Sequence, residues 1–123
     1  MDDVRQQQPT DPAGLIRLEP GELGLTSERD GDVHVIALTG ELDLANGDEL
    51  QRELLRVEAT DAQSIVVDLS GLQFMDSVGI HVLLSADARS RADSERLTLL
   101  RGPAAVQRVL ELTGVVDLLP FAD

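Results

Sequence analysis

Asp76 and Ser77 are the residues of this chain whose types and position are best suited to chemistry. They stand in the run Leu72–Ile80, LQFMDSVGI, where a strand-like segment gives way to a helix-like one. Either side chain could accept hydrogen bonds from the amides that open a helix. A phosphate on Ser77 would lie at the positive end of the helix dipole, near unpaired amides, and Gly79 would let another surface approach closely. Helix capping and phosphorylation are therefore both open interpretations of Ser77.

Catalysis by side chains is poorly supported elsewhere. The chain has no cysteine, which excludes disulfides, thiol catalysis and the usual structural zinc sites. A serine hydrolase would need Ser77 as nucleophile, Asp43 or Asp76 as orienting group and His34 or His81 as base, but the G-x-S-x-G elbow is absent. His34 is predicted within a strand and His81 one turn after Ser77, so a triad would need awkward geometry. We expect a protein without enzymatic activity, metal or cofactor.

The net charge of this chain makes some kinds of binding partner unfavourable. Acidic residues number 23 and basic residues 10, all of them Arg, which gives a net charge of -13. Nucleic acid and anionic membranes are therefore unfavourable partners, whereas a protein with a basic docking face would suit this chain. No apolar run reaches the roughly 20 residues that span a bilayer, so we expect a soluble, cytoplasmic protein.

The elements that must position Asp76 and Ser77 follow from periodicity and turn residues. Residues 1–20 are predicted to be a flexible tail, although the apolar patch Leu15–Leu18 could add a strand to a sheet edge, and residues 21–123 form one domain. GLTSER and VHVIALTGEL, joined by Asp30-Gly31-Asp32, predict an antiparallel hairpin. A helix over 46–59 would begin with a near capping box made by Asn46 and Glu49.

The rest of the chain alternates strands with helices. The predicted elements are a central strand at Ser64–Leu69, a link at Ser70–Met75, a helix over Ser77–Arg91, a strand at Arg96–Leu100, a helix from Pro103 to Gly114, and a last short helix or turn at Val115–Phe121 that packs Leu118, Leu119 and Phe121 onto the sheet. This order predicts an α/β fold, with a mixed, mostly parallel sheet of about four strands and about four helices packed on it.

Three motifs resemble one known family. GLQFMDSVGI resembles the phosphorylation loop of STAS-domain anti-sigma factor antagonists, and LTGELD (Leu38–Asp43) resembles their second strand and the following turn. VLELTGVVDLLPF, within Val106–Phe121, is similar to their final helix and tail. The motifs occur in the family's order and cover the chain from about Leu23 onwards.

The resemblance implies a protein that binds an anti-sigma factor with a kinase fold and so releases a sigma factor. That partner, which binds the ATP, would phosphorylate the serine after the loop's aspartate, here Ser77, and a separate phosphatase would restore the binding form. The family's acidic residue at the end of GELD matches Asp43, which we expect near Ser77. Val78 stands where many members have a second serine. The expected partner-binding residues are Asp43, Asp76, Val78, Gly79 and His81.

Two further functions, a response-regulator receiver and a regulatory STAS subunit, would also fit parts of this sequence. A response-regulator receiver would use Asp68, at the end of the central strand, as its phosphate acceptor, but it would also need a lysine that this chain lacks. A STAS domain can also serve as a regulatory or scaffold subunit of a signalling assembly or an ABC transporter, without any phosphorylation switch. The fold alone does not decide between these roles.

Overall fold

The structure, a computed structural model, describes residues 19–122, and these form one four-stranded sheet. The strands are β1 (Leu23–Asp30), β2 (Val33–Leu42), β3 (Ser64–Met75) and β4 (Leu97–Leu100), and they lie side by side in that order. β1 is antiparallel to β2, whereas the β2–β3 and β3–β4 pairs are parallel. The predicted mixed, mostly parallel sheet is confirmed. Most of the predicted tail, including Leu15–Leu18, lies outside the described residues.

Three α-helices and one short 3-10 helix accompany the sheet within residues 19–122. They are α1 (Gly47–Glu58), α2 (Ser77–Asp93), α3 (Ala104–Leu112) and the 3-10 helix Val116–Leu118. The prediction of about four helices agrees with this count when the 3-10 helix is included. Within this part of the chain, every helix is too short or too polar to reach across a bilayer.

The core lies on one face of the sheet. Ile36, Leu38 and Leu42 of β2 are buried, while Val35 and Ala37, on either side of Ile36, are only half-buried. Successive side chains of a strand point to opposite faces, so the helices cover one face and leave the other partly open. Because aromatic residues make up only 2% of the chain, this core consists almost entirely of Leu, Val, Ile, Ala and Met.

The predicted hairpin is present and is closed by a two-residue turn. Asp30 pairs with Val33, which leaves Gly31 and Asp32 as the connection. Gly31 has φ of +63°, in the left-handed region that such tight hairpin turns require and that glycine adopts without strain.

The predicted link at Ser70–Met75 is wrong, because these residues extend β3. Two irregularities in the β2–β3 register, between Ala37 and Thr39 and between Gly40 and Glu41, allow pairing to continue to Leu42 and Met75. Glycine at position 71 suggests a turn in the sequence, but in the structure it lies in β3 and lets the backbone of Leu38 approach closely. A Cβ atom there would lie 2.7 Å from the Leu38 carbonyl oxygen. Because of this extension, β3 ends level with β2, where Met75 pairs with Leu42.

The outer edge of β4 is covered by the chain that follows the 3-10 helix. The Leu99 amide donates to the Pro120 carbonyl, and the Ala122 amide donates to the Leu99 carbonyl, at 2.9 Å each. Phe121 thereby forms a parallel bridge with Leu99, and the Arg101 guanidinium lies 5.1 Å from its ring centre. Leu119 is buried, but Leu118 is 61% exposed, so the prediction that Leu118 packs onto the sheet is wrong.

Candidate functional site

Asp76 is the N-cap of α2 and also ties that helix to a neighbouring loop. Its Oδ1 accepts from the Val78 amide at 2.9 Å and from the Gly79 amide at 3.4 Å. Its Oδ2 accepts from the Leu44 amide at 3.2 Å, and its own amide donates to the Leu42 carbonyl. One carboxylate therefore fixes the start of α2 relative to the end of β2.

Ser77 is the first residue of α2 and is exposed. The hydrogen bonds among residues 19–122 include none to its hydroxyl, because Asp76 already supplies the capping oxygen. Of the two capping candidates, Asp76 is the cap. The expectation that a phosphate on Ser77 would find unpaired amides nearby is wrong for Val78 and Gly79, whose amides Asp76 occupies. Ser77 is thus exposed beside a carboxylate, and its hydroxyl bonds to none of residues 19–122.

The loop that follows β2 lies beside the start of α2, and its backbone amides are all bonded. The Asp43 amide donates to Asn46 Oδ1 at 2.9 Å, the Leu44 amide to Asp76 and the Ala45 amide to Asp43 Oδ1 at 3.0 Å. The amides of Asn46 and Gly47 both donate to the Asp43 carbonyl. We call residues 43–46 the β2–α1 loop. These bonds hold the backbone of this loop in place.

The predicted capping box at Asn46 and Glu49 is wrong. Asn46 precedes α1 but makes no side-chain cap bond to it. Its buried amide group instead donates to the carbonyls of Glu41, at 2.9 Å, and Gly21, at 3.3 Å, while its oxygen holds the Asp43 amide. Asn46 therefore joins the β2–α1 loop, the end of β2 and the segment that enters β1.

Gly79 and Val78 are packing residues. A Cβ atom on Gly79 would lie 2.6 Å from Met75 Cγ and 2.9 Å from Leu42 Cδ2, and both of these side chains are buried. Gly79 was expected to let another surface approach closely, and within the domain that surface is formed by Met75 and Leu42. Val78 is half-buried and lies against Gly47, whose missing side chain lets α1 approach α2.

The remaining predicted site residues lie around Ser77. Asp43 follows Leu42, which pairs with Met75, so Asp43 and Ser77 lie at the same end of the sheet, as predicted. Its Oδ1 accepts the Ala45 amide within the loop. His81, one turn after Ser77 on α2, is exposed. Among residues 19–122, neither Asp43 nor Asp76 forms an ion pair, so the surface around Ser77 is acidic.

Two residues of this site were missed from the sequence. Leu44, in the β2–α1 loop, is 79% exposed, although it is a large apolar residue. An apolar residue between Asp43 and Asn46, after the strand has ended, was an available signal. Asn46 gave no comparable signal, because an asparagine before a helix is ordinarily a cap.

The rival chemistries find no support in the described residues. Asp68 lies within β3 rather than at its end, and its Oδ1 accepts from the Ser70 amide at 2.9 Å. His34 is buried near the start of β2, at the opposite end of the sheet from Ser77, and its Nε2 bonds to Ser27 Oγ at 2.6 Å. Among residues 19–122, Asp68 forms no receiver phosphate site, and no hydrogen bond joins Ser77 to His34 or His81.

The fold and site can be compared with known proteins. A sequence model of the STAS domain family matches residues 25–123, from within β1 through every later element. The chain belongs to the STAS domain family. Among the curated relatives of this STAS domain is the anti-sigma F factor antagonist of Paenibacillus polymyxa, which is 26% identical over 102 residues, or 82% of this chain and 87% of that protein.

Solved STAS structures share the fold. An anti-sigma factor antagonist from Mycobacterium paratuberculosis matches with a TM-score of 0.74 at 24% identity, over 84% of this chain and 87% of that one. The antagonist SpoIIAA in its unphosphorylated form matches with 0.67 at 24% identity, over 81% and 89%. Its phosphorylated form, from Bacillus, matches with 0.62 at 22% identity, over 81% and 92%. At these identities the likeness supports the fold, and the family predicted from the sequence motifs is confirmed.

Proposed function

We propose that this STAS domain is an anti-sigma factor antagonist controlled by phosphorylation of Ser77. It binds an anti-sigma factor with a kinase fold, so that the sigma factor held by that partner is released. The partner, carrying ATP, transfers a phosphoryl group to Ser77 and ends the interaction, and a phosphatase restores the hydroxyl. The observation that carries the proposal is the free, exposed Ser77 hydroxyl at the first position of a helix that is already capped by Asp76.

The names of the relatives support this proposal. The Paenibacillus polymyxa relative is an anti-sigma F factor antagonist, and SpoIIAA is an antagonist that has been solved with and without phosphate. All three motifs that resemble such antagonists fall in the region that the family model matches.

The local geometry suits a kinase acceptor. A hydroxyl that caps its own helix must break a bond before it can attack a phosphoryl group, whereas Ser77 Oγ accepts and donates nothing among the described residues. Asp76 and Asp43 would repel the new phosphate, and no arginine pairs with either of them within residues 19–122. The phosphate would therefore stay in solvent in the free domain and would have to be desolvated at an interface.

We infer a switch that acts at the interface. The dipole of α2 favours the phosphate by roughly 0.3–1 kcal/mol at an exposed site, which offsets part of the repulsion, so the fold should be retained. A partner surface fitted to a hydroxyl would have to accommodate and desolvate the larger phosphate group, and affinity should fall at least ~100-fold, or about 2.7 kcal/mol.

The test is phosphorylation by the kinase-fold anti-sigma factors of the organism that encodes this chain. Each is incubated with ATP and the domain, and the peptide containing Ser77 is analysed by mass spectrometry. We expect one phosphate on Ser77, none on Ser77→Ala, and wild-type levels on the control Ser70→Ala, which removes another exposed hydroxyl. Undiminished phosphate on Ser77→Ala, or copurification with a transporter in place of an anti-sigma factor, would contradict the proposal.

A further inference from the structure

Leu44 is an exposed apolar side chain on a backbone that is held in place. The three consecutive amides of residues 43–45 each donate to a side-chain oxygen, at 2.9, 3.2 and 3.0 Å. The next two amides donate to the Asp43 carbonyl at 3.1 and 2.8 Å. A loop in which five successive amides are satisfied has little freedom left to lose when a partner binds.

The exposure of Leu44 does not serve the fold. At 79% exposure its side chain buries little apolar area, so it contributes little to the free energy of unfolding. One of the hydrogen bonds that hold the backbone of Leu44 runs to Asp76, next to Ser77. The Leu44 amide binds the same Asp76 carboxylate that caps the helix of Ser77, so a single side chain sets the position of Leu44 relative to the acceptor.

The surroundings of Leu44 indicate the chemistry of the surface that would bury it. Asp43 precedes it, and Asp48 and Glu49 follow in the first turn of α1, where both are exposed. The chain has two aromatic residues, the usual interface anchors, and the one three residues before Ser77, Phe74, is 47% exposed against 79% for Leu44. An apolar side chain with an acidic surround fits an apolar pocket edged by basic side chains.

We propose that Leu44 is the apolar anchor through which this domain recognises its anti-sigma factor, and that Asn46 and Asp76 are its positioning residues. The occupant is a pocket of the kinase-fold partner, apolar at its floor and basic at its rim. This proposal rests on the proposed function and adds the side chain that decides which anti-sigma factor is bound.

The test compares Leu44 with Leu112, whose side chains are exposed to nearly the same extent. Leu44→Ala and Leu112→Ala remove side chains that are 79% and 77% exposed, so neither should change the melting temperature appreciably. Binding to the kinase-fold anti-sigma factor that phosphorylates Ser77 is measured by calorimetry with each variant. We expect at least a tenfold loss of affinity for Leu44→Ala, about 1.4 kcal/mol, and less than about a twofold change for Leu112→Ala. Leu44→Met should retain most of the affinity, because it keeps the apolar volume.

Asn46→Ala tests the positioning role without touching the anchor. If Asn46 acts by holding Leu44, its effect on affinity should shrink to near unity in a Leu44→Ala background, a coupling that a merely structural role would not produce. Wild-type affinity for Leu44→Ala would overturn the proposal while leaving the proposed function intact. A wild-type chain that binds none of these anti-sigma factors would overturn the proposed function itself, so the two failures are distinguishable.

Discussion

Asp76, rather than Ser77, is the residue on which the local architecture depends. Its two oxygens serve three amides on two elements, whereas the neighbouring hydroxyl serves none among the described residues. In this motif, the capping group of α2 and the candidate phosphate acceptor are therefore two adjacent residues. Asp76 builds the turn, and the Ser77 hydroxyl bonds to none of the described residues.

This division predicts that Asp76 substitutions act on stability as well as function. Asp76→Ala should lower the free energy of unfolding by about 0.5–2 kcal/mol, because it removes the cap of α2. Asp76→Asn keeps one acceptor oxygen for the cap of α2 but places an NH2 group where Oδ2 accepts from the Leu44 amide, so it separates the cap from the loop bond. Denaturant unfolding of both variants beside Ser77→Ala gives the comparison. An Asp76→Ala variant as stable as the wild type would show that the cap bonds are not needed.

On the scale of whole elements, α1 carries the one strongly shifted carboxyl group among the described residues. Arg56 donates to both oxygens of Glu53 one turn earlier, and these hydrogen bonds lower the pKa of Glu53 from 4.5 to about 2, against an opposing effect of burial. Ser27 and His34 add smaller effects in the same direction, so α1 is also connected to the β1–β2 hairpin.

The pKa shift predicts a pH dependence of stability. A carboxyl group with a depressed pKa in the folded state stabilises the protein fully above its unfolded pKa of 4.5, and the contribution is lost as pH falls towards about 2. Glu53→Gln should therefore lose stability relative to the wild type at neutral pH, and the difference should shrink through this acid range. Urea unfolding at a series of pH values measures it. A difference between the two proteins that does not vary with pH would contradict the assignment.

The same elements show what could be predicted from the sequence. The hairpin, the alternation of strands and helices and the start of α2 follow from local periodicity and turn residues, and these were predicted, whereas α2 ends at Asp93, two residues beyond the predicted Arg91. The extension of β3 was missed because Gly71 looks like a turn residue until its contact with the Leu38 carbonyl is seen. Asn46 and Gly79 were misassigned for a related reason. Their roles depend on which distant groups the fold brings to them, and local sequence does not encode that.

At the scale of the whole molecule, the net charge of -13 sets the long-range behaviour of the domain. A partner with a basic docking face would be attracted before contact, which raises the association rate and makes it sensitive to ionic strength. Charge would thus speed the encounter, and the anchor at Leu44 would set how long the complex lasts.

This predicts that added salt and loss of the anchor affect different rate constants. Raising the salt concentration from about 50 to about 500 mM shortens the screening length severalfold and should lower mainly the association rate. Leu44→Ala should instead raise mainly the dissociation rate at either salt concentration. Stopped-flow or surface-plasmon kinetics with the anti-sigma factor would resolve the two. Faster association at high salt would indicate that the partner is itself acidic at the contact.

The bridge between Leu99 and Phe121 has a consequence for behaviour in a crowded solution. Unpaired strand edges are templates on which other chains can add, and they are a common route to amyloid-like aggregation. The main-chain bonds of Pro120–Ala122 occupy that template along part of β4, which leaves β1 as the fully open edge of the sheet among residues 19–122. β1 ends in the charged run Glu28-Arg29-Asp30, which disfavours the addition of a like strand. Resistance to aggregation is thus supplied by backbone at one edge and by charge at the other.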